Sequence, residues 1–432
     1  MRGAFEVKGF KVDFEFTKKE EFDKEIIEKR IQCLFENTKY HLVDIWCILD
    51  KKTYVSDFPA LYYINECIIE FACPDNCDTE SACNEVEKLI EEMANEENSL
   101  LSIHSIKHSS ISIVKDSLKL KEHKDTKVFV TGVAGQLGHD VMNRLYECGY
   151  YGIGTDLGEN YQGIKDKSPV TEMPYISLNI MDAEDVNEVI TEINPDVVIH
   201  CAAWNAVDQA EDKSRMDIVH ATNVDGTQNI ANACAKIGCK MVYISTDYVF
   251  DGTGSEPWKA DSKEFGALNV YGKTKLEGEL VVSQTLSNYF IVRTSWAYGI
   301  SGKNFVKAML DIGKKYNTVR VVNDQIGTPM YMKDLAHLLI EMIATEKYGY
   351  YNATNEGGYI SWYDFACEIF RQAGLPTTVL PVSSEEYGIN RATRPANSRL
   401  DKSKLEENGF KLLPDWKDAL GRYLEELNKM EA

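Results

Sequence analysis

A chain of 432 residues with a net charge of −21, 44% apolar and 27% charged residues has the profile of a folded, soluble protein of two domains and not of a fibrous or disordered one. Its acidity argues against a nucleic-acid partner, because phosphate binding draws its affinity from clustered Lys and Arg. No apolar run reaches the roughly 20 residues of a membrane span, and the alternating start "MRGAFEVKGFKVDFEF" lacks a signal-peptide core, so a cytoplasmic location without membrane contact is expected.

Eleven cysteines, scattered over both halves, read best as free thiols in a reducing compartment. The dense cluster "CPDNCDTESAC" (Cys73, Cys77, Cys83) has the spacing of no recurring zinc motif, and metal binding ranks below the bland reading. Before the polar segment "KLKEHKDTK", the pattern runs strand, helix, strand, strand, helix, strand. Strands are expected at 4–16, 42–49, 61–72 and 100–114, with helices "KKEEFDKEIIEKRIQCLFEN" and "SACNEVEKLIEEMANEE". That order predicts an α+β, ferredoxin-like accessory domain over 1–118, followed by a linker at 119–126.

From 127 to 432 strands alternate with helices: "KVFVTG", "DVMNRLYECG", "YYGIGTD", "AEDVNEVITEI", "DVVIHCAA", "DGTQNIANACAKIG", "KMVYISTD". Near-continuous apolar strands between amphipathic helices predict an α/β, doubly wound parallel sheet of Rossmann type, with its ligand crevice beyond the carboxyl ends of the strands. "TGVAGQLG" puts Gly132, Gly135 and Gly138 in a GxxGxxG turn that opens a helix. Residues without Cβ let backbone approach a pyrophosphate, and the free N–H groups of a helix N-terminus attract its charge. Close helix packing calls for the same glycines. The second strand ends in Asp156, about 20 residues on, where a carboxylate accepts hydrogen bonds from an adenosine ribose and repels a 2′-phosphate. With no Lys or Arg in the turn, NADH is expected in preference to NADPH.

"STDYVFDG" emerges from the fourth strand of this series, and "NVYGKTKLEGE" supplies Tyr271 and Lys275 four residues apart, on one face of a helix. A phenol is a poor acid–base group at neutral pH, and an adjacent ammonium lowers its pKa. Lys275 is expected to do this and to bond the nicotinamide ribose, while Thr246 holds a substrate carbonyl and Tyr271 gives it a proton. An exposed helical tyrosine near a lysine is the competing reading of YxxxK alone.

In "TGVAGQLG", "CAAWNAVDQAE", "STDYVFDG", "NVYGKTKLEGE", "RTSWAYG", "VVNDQIGTP" and "RPANSRLD", the chain resembles the extended short-chain dehydrogenase/reductases and, within them, the dTDP-4-dehydrorhamnose reductase family. The resemblance implies dinucleotide contacts from Gly135, Gln136, Leu137, Asp156, Asn179, Ile180, Ala202, Ala203 and Trp204. It implies sugar contacts from Thr246, Asp247 and Trp296, and Tyr271 as proton donor in reducing dTDP-4-dehydro-L-rhamnose to dTDP-L-rhamnose with NADH or NADPH. Related dehydratases carry Asp-Glu after the threonine; Tyr248 replaces that Glu here, so simple carbonyl reduction is implied over elimination. Arg394 and Arg399 are read either as partners of a nucleotide diphosphate or as surface ion pairs. The resemblance also allows a homodimer and Mg²⁺ at a dimer contact, with no motif here to which the ion's ligands are assigned. The alternative from another class is a non-catalytic, sugar-nucleotide- or NAD(P)-binding regulatory subunit of a larger complex.

Overall fold

The computed structural model describes residues 7–18, 41–53, 62–72, 85, 86, 88, 102–113 and 126–431, apart from 167, 172, 389 and 390. Two compact units divide the chain, Met1–Lys124 and Asp125–Ala432.

In the first unit, strands β1 (Val7–Lys18), β2 (His41–Thr53), β3 (Tyr62–Ala72) and β4 (Ser102–Ile113) form an antiparallel sheet in the order β2-β3-β1-β4. The period-two pattern of "FEVKGFKVDFEF" thus marks a real strand, extended two residues past its expected end. The two expected helices lie outside the described residues, apart from Glu85, Val86 and Lys88, which are helical. Cys73, Cys77 and Cys83 also lie outside them.

The second unit alternates strand and helix: β5 (Lys127–Thr131), α1 (Gln136–Glu147), β6 (Tyr151–Asp156), β7 (Tyr175–Ser177), α2 (Ala183–Ile193), β8 (Val197–His200), α3 (Gly226–Ile237), β9 (Lys240–Thr246), α4 (Val270–Thr285) and β10 (Tyr289–Thr294). After α5 (Met332–Ile343), strand β11 (Gly349–Asn352) closes the sheet, and α6 (Trp362–Ala373) and α7 (Trp416–Glu431) complete the C-terminal part. The seven strands are parallel in the order β11-β10-β9-β8-β5-β6-β7. Strand order therefore reverses beside β5, between it and β8, which is where such sheets open a crevice at their carboxyl edge.

Each strand feeds two cores, because successive side chains point to opposite faces. Val128 and Val130 join one cluster with Val141, Ile199, Val242 and Leu335, whereas Phe129 joins the other with Ile190, Val198, Ile230 and Met241. Burial on both sides explains why β5 and β8 read as continuous apolar runs. Among the described residues no helix is long and apolar enough to cross a membrane.

Candidate active site

The glycine turn comes first because it sets the floor of the crevice. Gly132 has a φ of 72°, and a Cβ there would lie 2.7 Å from the backbone nitrogen of Ala202. A Cβ on Gly138 would lie 2.3 Å from the Gly132 oxygen. Both glycines are thus demanded by close backbone packing. Gly135 begins α1 with no side-chain cap on the helix N-terminus, so its first N–H groups are left for a ligand. The Asp156 carboxylate accepts from Ala134 N at 3.0 Å and from Leu157 N at 2.8 Å. It therefore holds the glycine turn in shape from the end of β6.

Two cavities meet over this turn. One, of about 190 Å³, is lined by Gly132, Gly135, Asp156, Asn179, Ile180, Ala202 and Ala203, with no Lys or Arg among its described lining residues. The other, of about 390 Å³, lies within the roughly 300–1,000 Å³ of small-molecule clefts. It gathers Gln136, Leu137 and Gly138 with Thr246, Asp247, Tyr248, Tyr271, Lys275 and Trp296. Thr155 Oγ1 in the first cavity and Thr294 Oγ1 in the second are buried without a hydrogen-bond partner among the described residues. Unpaired buried hydroxyls and a glycine cradle fit a bound dinucleotide.

Helix α4 brings the chemistry to this edge. Asn269 caps it, accepting from Gly272 N at 2.8 Å, and Glu211 accepts from Val270 N at 2.7 Å. A Cβ on Gly272 would lie 2.3 Å from the Tyr248 carbonyl oxygen, so only glycine lets α4 approach the turn that follows β9. Tyr248 meets the Tyr271 ring edge-on at 5.9 Å. Thr246, the last residue of β9, donates to Asp247 Oδ1 at 3.1 Å and accepts from Tyr248 N.

Burial dominates the electrostatics. It pushes the Tyr271 phenol up to about 12, against a hydrogen bond with Thr246. Lys275, only 4% exposed, is brought down to about 7 by the same cause, with Glu279 foremost in opposing. Its Nζ lies 4.0 Å over the Tyr243 ring. The expected acidification of the phenol by the ammonium is therefore not what this site shows: burial disfavours the phenolate, and the Asp247 carboxylate adds to the rise. Asp247 is pushed up to about 7 by burial, against hydrogen bonds from Ser398 and Thr246.

Residues 126–429 match the family model described as the RmlD substrate binding domain. The chain belongs to the RmlD family. It is 38% identical over 301 residues to the spore coat polysaccharide biosynthesis protein SpsK of Bacillus subtilis, covering 70% of this chain and 98% of that protein. The dTDP-4-dehydrorhamnose reductase of Aggregatibacter actinomycetemcomitans is 35% identical over 308 residues, 68% of this chain and 97% of that one. The crystal structure of the Bacillus anthracis dTDP-4-dehydrorhamnose reductase, in complex with NADP, superposes with a TM-score of 0.62 at 39% identity over 70% of this chain and 99% of that one. By family the chain is an NAD(P)H-dependent reductase.

Within this RmlD chain, most residues singled out in the sequence do line the two cavities. Trp204 does not: its backbone N donates to Asn223 Oδ1 at 2.7 Å, its indole N–H turns to Ala206 O, and Arg215 lies over its ring. Asn205, the next residue, lines both cavities instead. Arg394 is taken up by Asp208 in a two-pronged ion pair at 2.8 and 3.2 Å, the structural one of its two readings. Arg399 donates to Asn397 at 2.9 Å. Trp362 was missed, because the first residue of an amphipathic helix reads as core. Its ring stacks on Trp296 at 3.8 Å and 14°, and both line the larger cavity. Trp296 itself holds a φ of 47°, a strained backbone of the kind that persists at functional sites.

Proposed function

We propose that this chain reduces the 4-keto group of dTDP-4-dehydro-L-rhamnose to dTDP-L-rhamnose. The observation that carries the reading is one cleft at the sheet's carboxyl edge that gathers Thr246, Tyr271, Lys275 and Trp296 beside the glycine turn. Gly132, Gly135, Gln136, Leu137, Gly138, Asn179, Ile180, Ala202 and Ala203 would hold the dinucleotide, whose dihydronicotinamide supplies a hydride when bound. Thr246 orients the keto oxygen. Tyr271 donates the proton: a phenol pushed up to about 12 is protonated at neutral pH, which is the state a donor needs. The phenolate left behind is stabilised by the Lys275 ammonium and reprotonated from solvent. Asp247 and the stacked Trp296–Trp362 pair contact the sugar, an apolar ring face on an indole.

Asp156 at the end of β6, in a cavity without a described Lys or Arg, supports NADH as the preferred cofactor. The NADP in the Bacillus anthracis reductase makes the comparison of the two worthwhile. The strand order of the first unit is that of a ferredoxin-like plait, and we read residues 1–118 as such an accessory domain. The test is full-length protein with the keto sugar nucleotide and NADH, with the product weighed by mass spectrometry. A gain of two hydrogens is expected, and Tyr271→Phe is expected to lose roughly 10²–10⁴-fold in kcat while binding the dinucleotide as before. Near-normal turnover by that variant removes Tyr271 as the donor.

A further inference from the structure

Glu279 is fully buried, as is Arg293, and the two form an ion pair at 2.7 Å. Neither lines the cleft. The Glu279 carboxylate joins three elements: Oε1 accepts from Ser245 Oγ at 2.6 Å and from Arg293 Nε at 2.8 Å, and Oε2 accepts from Arg293 Nη2. Arg293 Nη1 then donates to Ala260 O at 3.0 Å, and its guanidinium lies among the rings of Phe250, Phe265 and Tyr350. Ser245 precedes Thr246 on β9, Glu279 stands one turn beyond Lys275 on α4, and Arg293 belongs to β10. A buried ion pair is costly to desolvate, and apolar residues of the same volume would serve packing alone as well or better.

We propose that Glu279, held by Arg293, is a positioning residue that fixes Thr246 and Lys275 in register and supplies the counter-charge that keeps Lys275 an ammonium in a dry site. The inference rests on the role given to Lys275 above. The groups facing Lys275 are Glu279 on its own helix, His200 and Cys201 at the end of β8, and Tyr243 on β9. Burial keeps the others uncharged: it brings His200 down to about 3 and pushes Cys201 up to about 12, and it raises Tyr243 and Tyr271. Asp247 faces Tyr271. That leaves the Glu279 carboxylate as the negative neighbour of the lysine.

The test is an NMR titration of Lys275 in lysine-labelled full-length protein without substrate or cofactor, assigned by its loss in Lys275→Met. Two variants are compared with the parent: Glu279→Gln, and the double change Glu279→Met with Arg293→Met. The double variant strands no buried charge and so keeps the fold if the single one does not. The Lys275 midpoint is expected to fall by roughly 1 pH unit in the double variant, and further in Glu279→Gln, where an unpaired Arg293 adds repulsion. The alkaline limb of turnover should move down in parallel. A folded double variant with a parental midpoint and limb overturns the proposal. Because the titration needs no substrate, it reports on Glu279 even if the protein reduces no keto sugar, and that failure would fall on the substrate reading alone.

Discussion

Tyr271 and Lys275 are shifted in opposite senses by one cause, the loss of water around both. The direction of the rate profile follows. With its pKa brought down to about 7, Lys275 is an ammonium below that pH and neutral above it. kcat/KM is therefore expected to fall as the pH rises through about 7, since this quantity reports the free enzyme. A limb set by the phenol would lie near 12 instead. The spacing of Tyr271 and Lys275 was plain in the sequence, but the sign of their shifts was not, because burial is a property of the folded site. Asp156 shows the same division. Its place at a strand end was legible, while its bonds to Ala134 N and Leu157 N appear only in three dimensions. Asp156→Asn removes the charge and keeps one acceptor oxygen, enough for only one of the two N–H groups of Ala134 and Leu157. Discrimination for NADH over NADPH should drop about tenfold or more, measured as the ratio of kcat/KM values; an unchanged ratio would mean that Asp156 only props the turn.

Helix α4 against β9 shows what the scale of elements adds. Its Tyr271–Lys275 face could be read from "NVYGKTKLEGE", and Glu279 continues the same i+4 stripe, a signal available but unused. What periodicity could not show is how closely the helix approaches the strand. Gly272 sets that distance, with a Cβ there only 2.3 Å from the Tyr248 oxygen. Gly272→Ala is expected to cost about 1–3 kcal/mol of stability as an overpacked contact, and to lower kcat by moving Tyr271 away from Thr246. Thermal melting and turnover check both. The Trp296–Trp362 pair joins a loop to the start of α6 across some sixty residues of sequence, so no local pattern reveals it. Trp362→Ala should raise KM for the sugar nucleotide roughly 2–10-fold, the worth of one aromatic pair, with kcat little changed. Trp362→Phe should restore most of it.

At the scale of the molecule, the boundary between two patterns was visible as a change from period two to alternating strand and helix, and the two compact units divide at Lys124 and Asp125. SpsK is covered over 98% of its length by 70% of this chain, and the family model matches residues 126–429, all within the second unit. The fragment from Asp125 onward is expected to keep the kcat and KM of the full chain. A large loss would assign the first unit a part in the chemistry. The parallel, doubly wound sheet was legible in apolar strands that alternate with helices, whereas the order of its seven strands is set by tertiary packing; the first unit's strands were legible in the order of its elements, with period two marking the first of them. The most direct measurement follows one hydrogen. Full-length protein is given the keto sugar nucleotide and NADH carrying deuterium at the transferable position of the nicotinamide. One deuterium bound to C4 of the product hexose is the expected result; deuterium at another carbon, or none transferred, would contradict reduction of that carbonyl in this cleft.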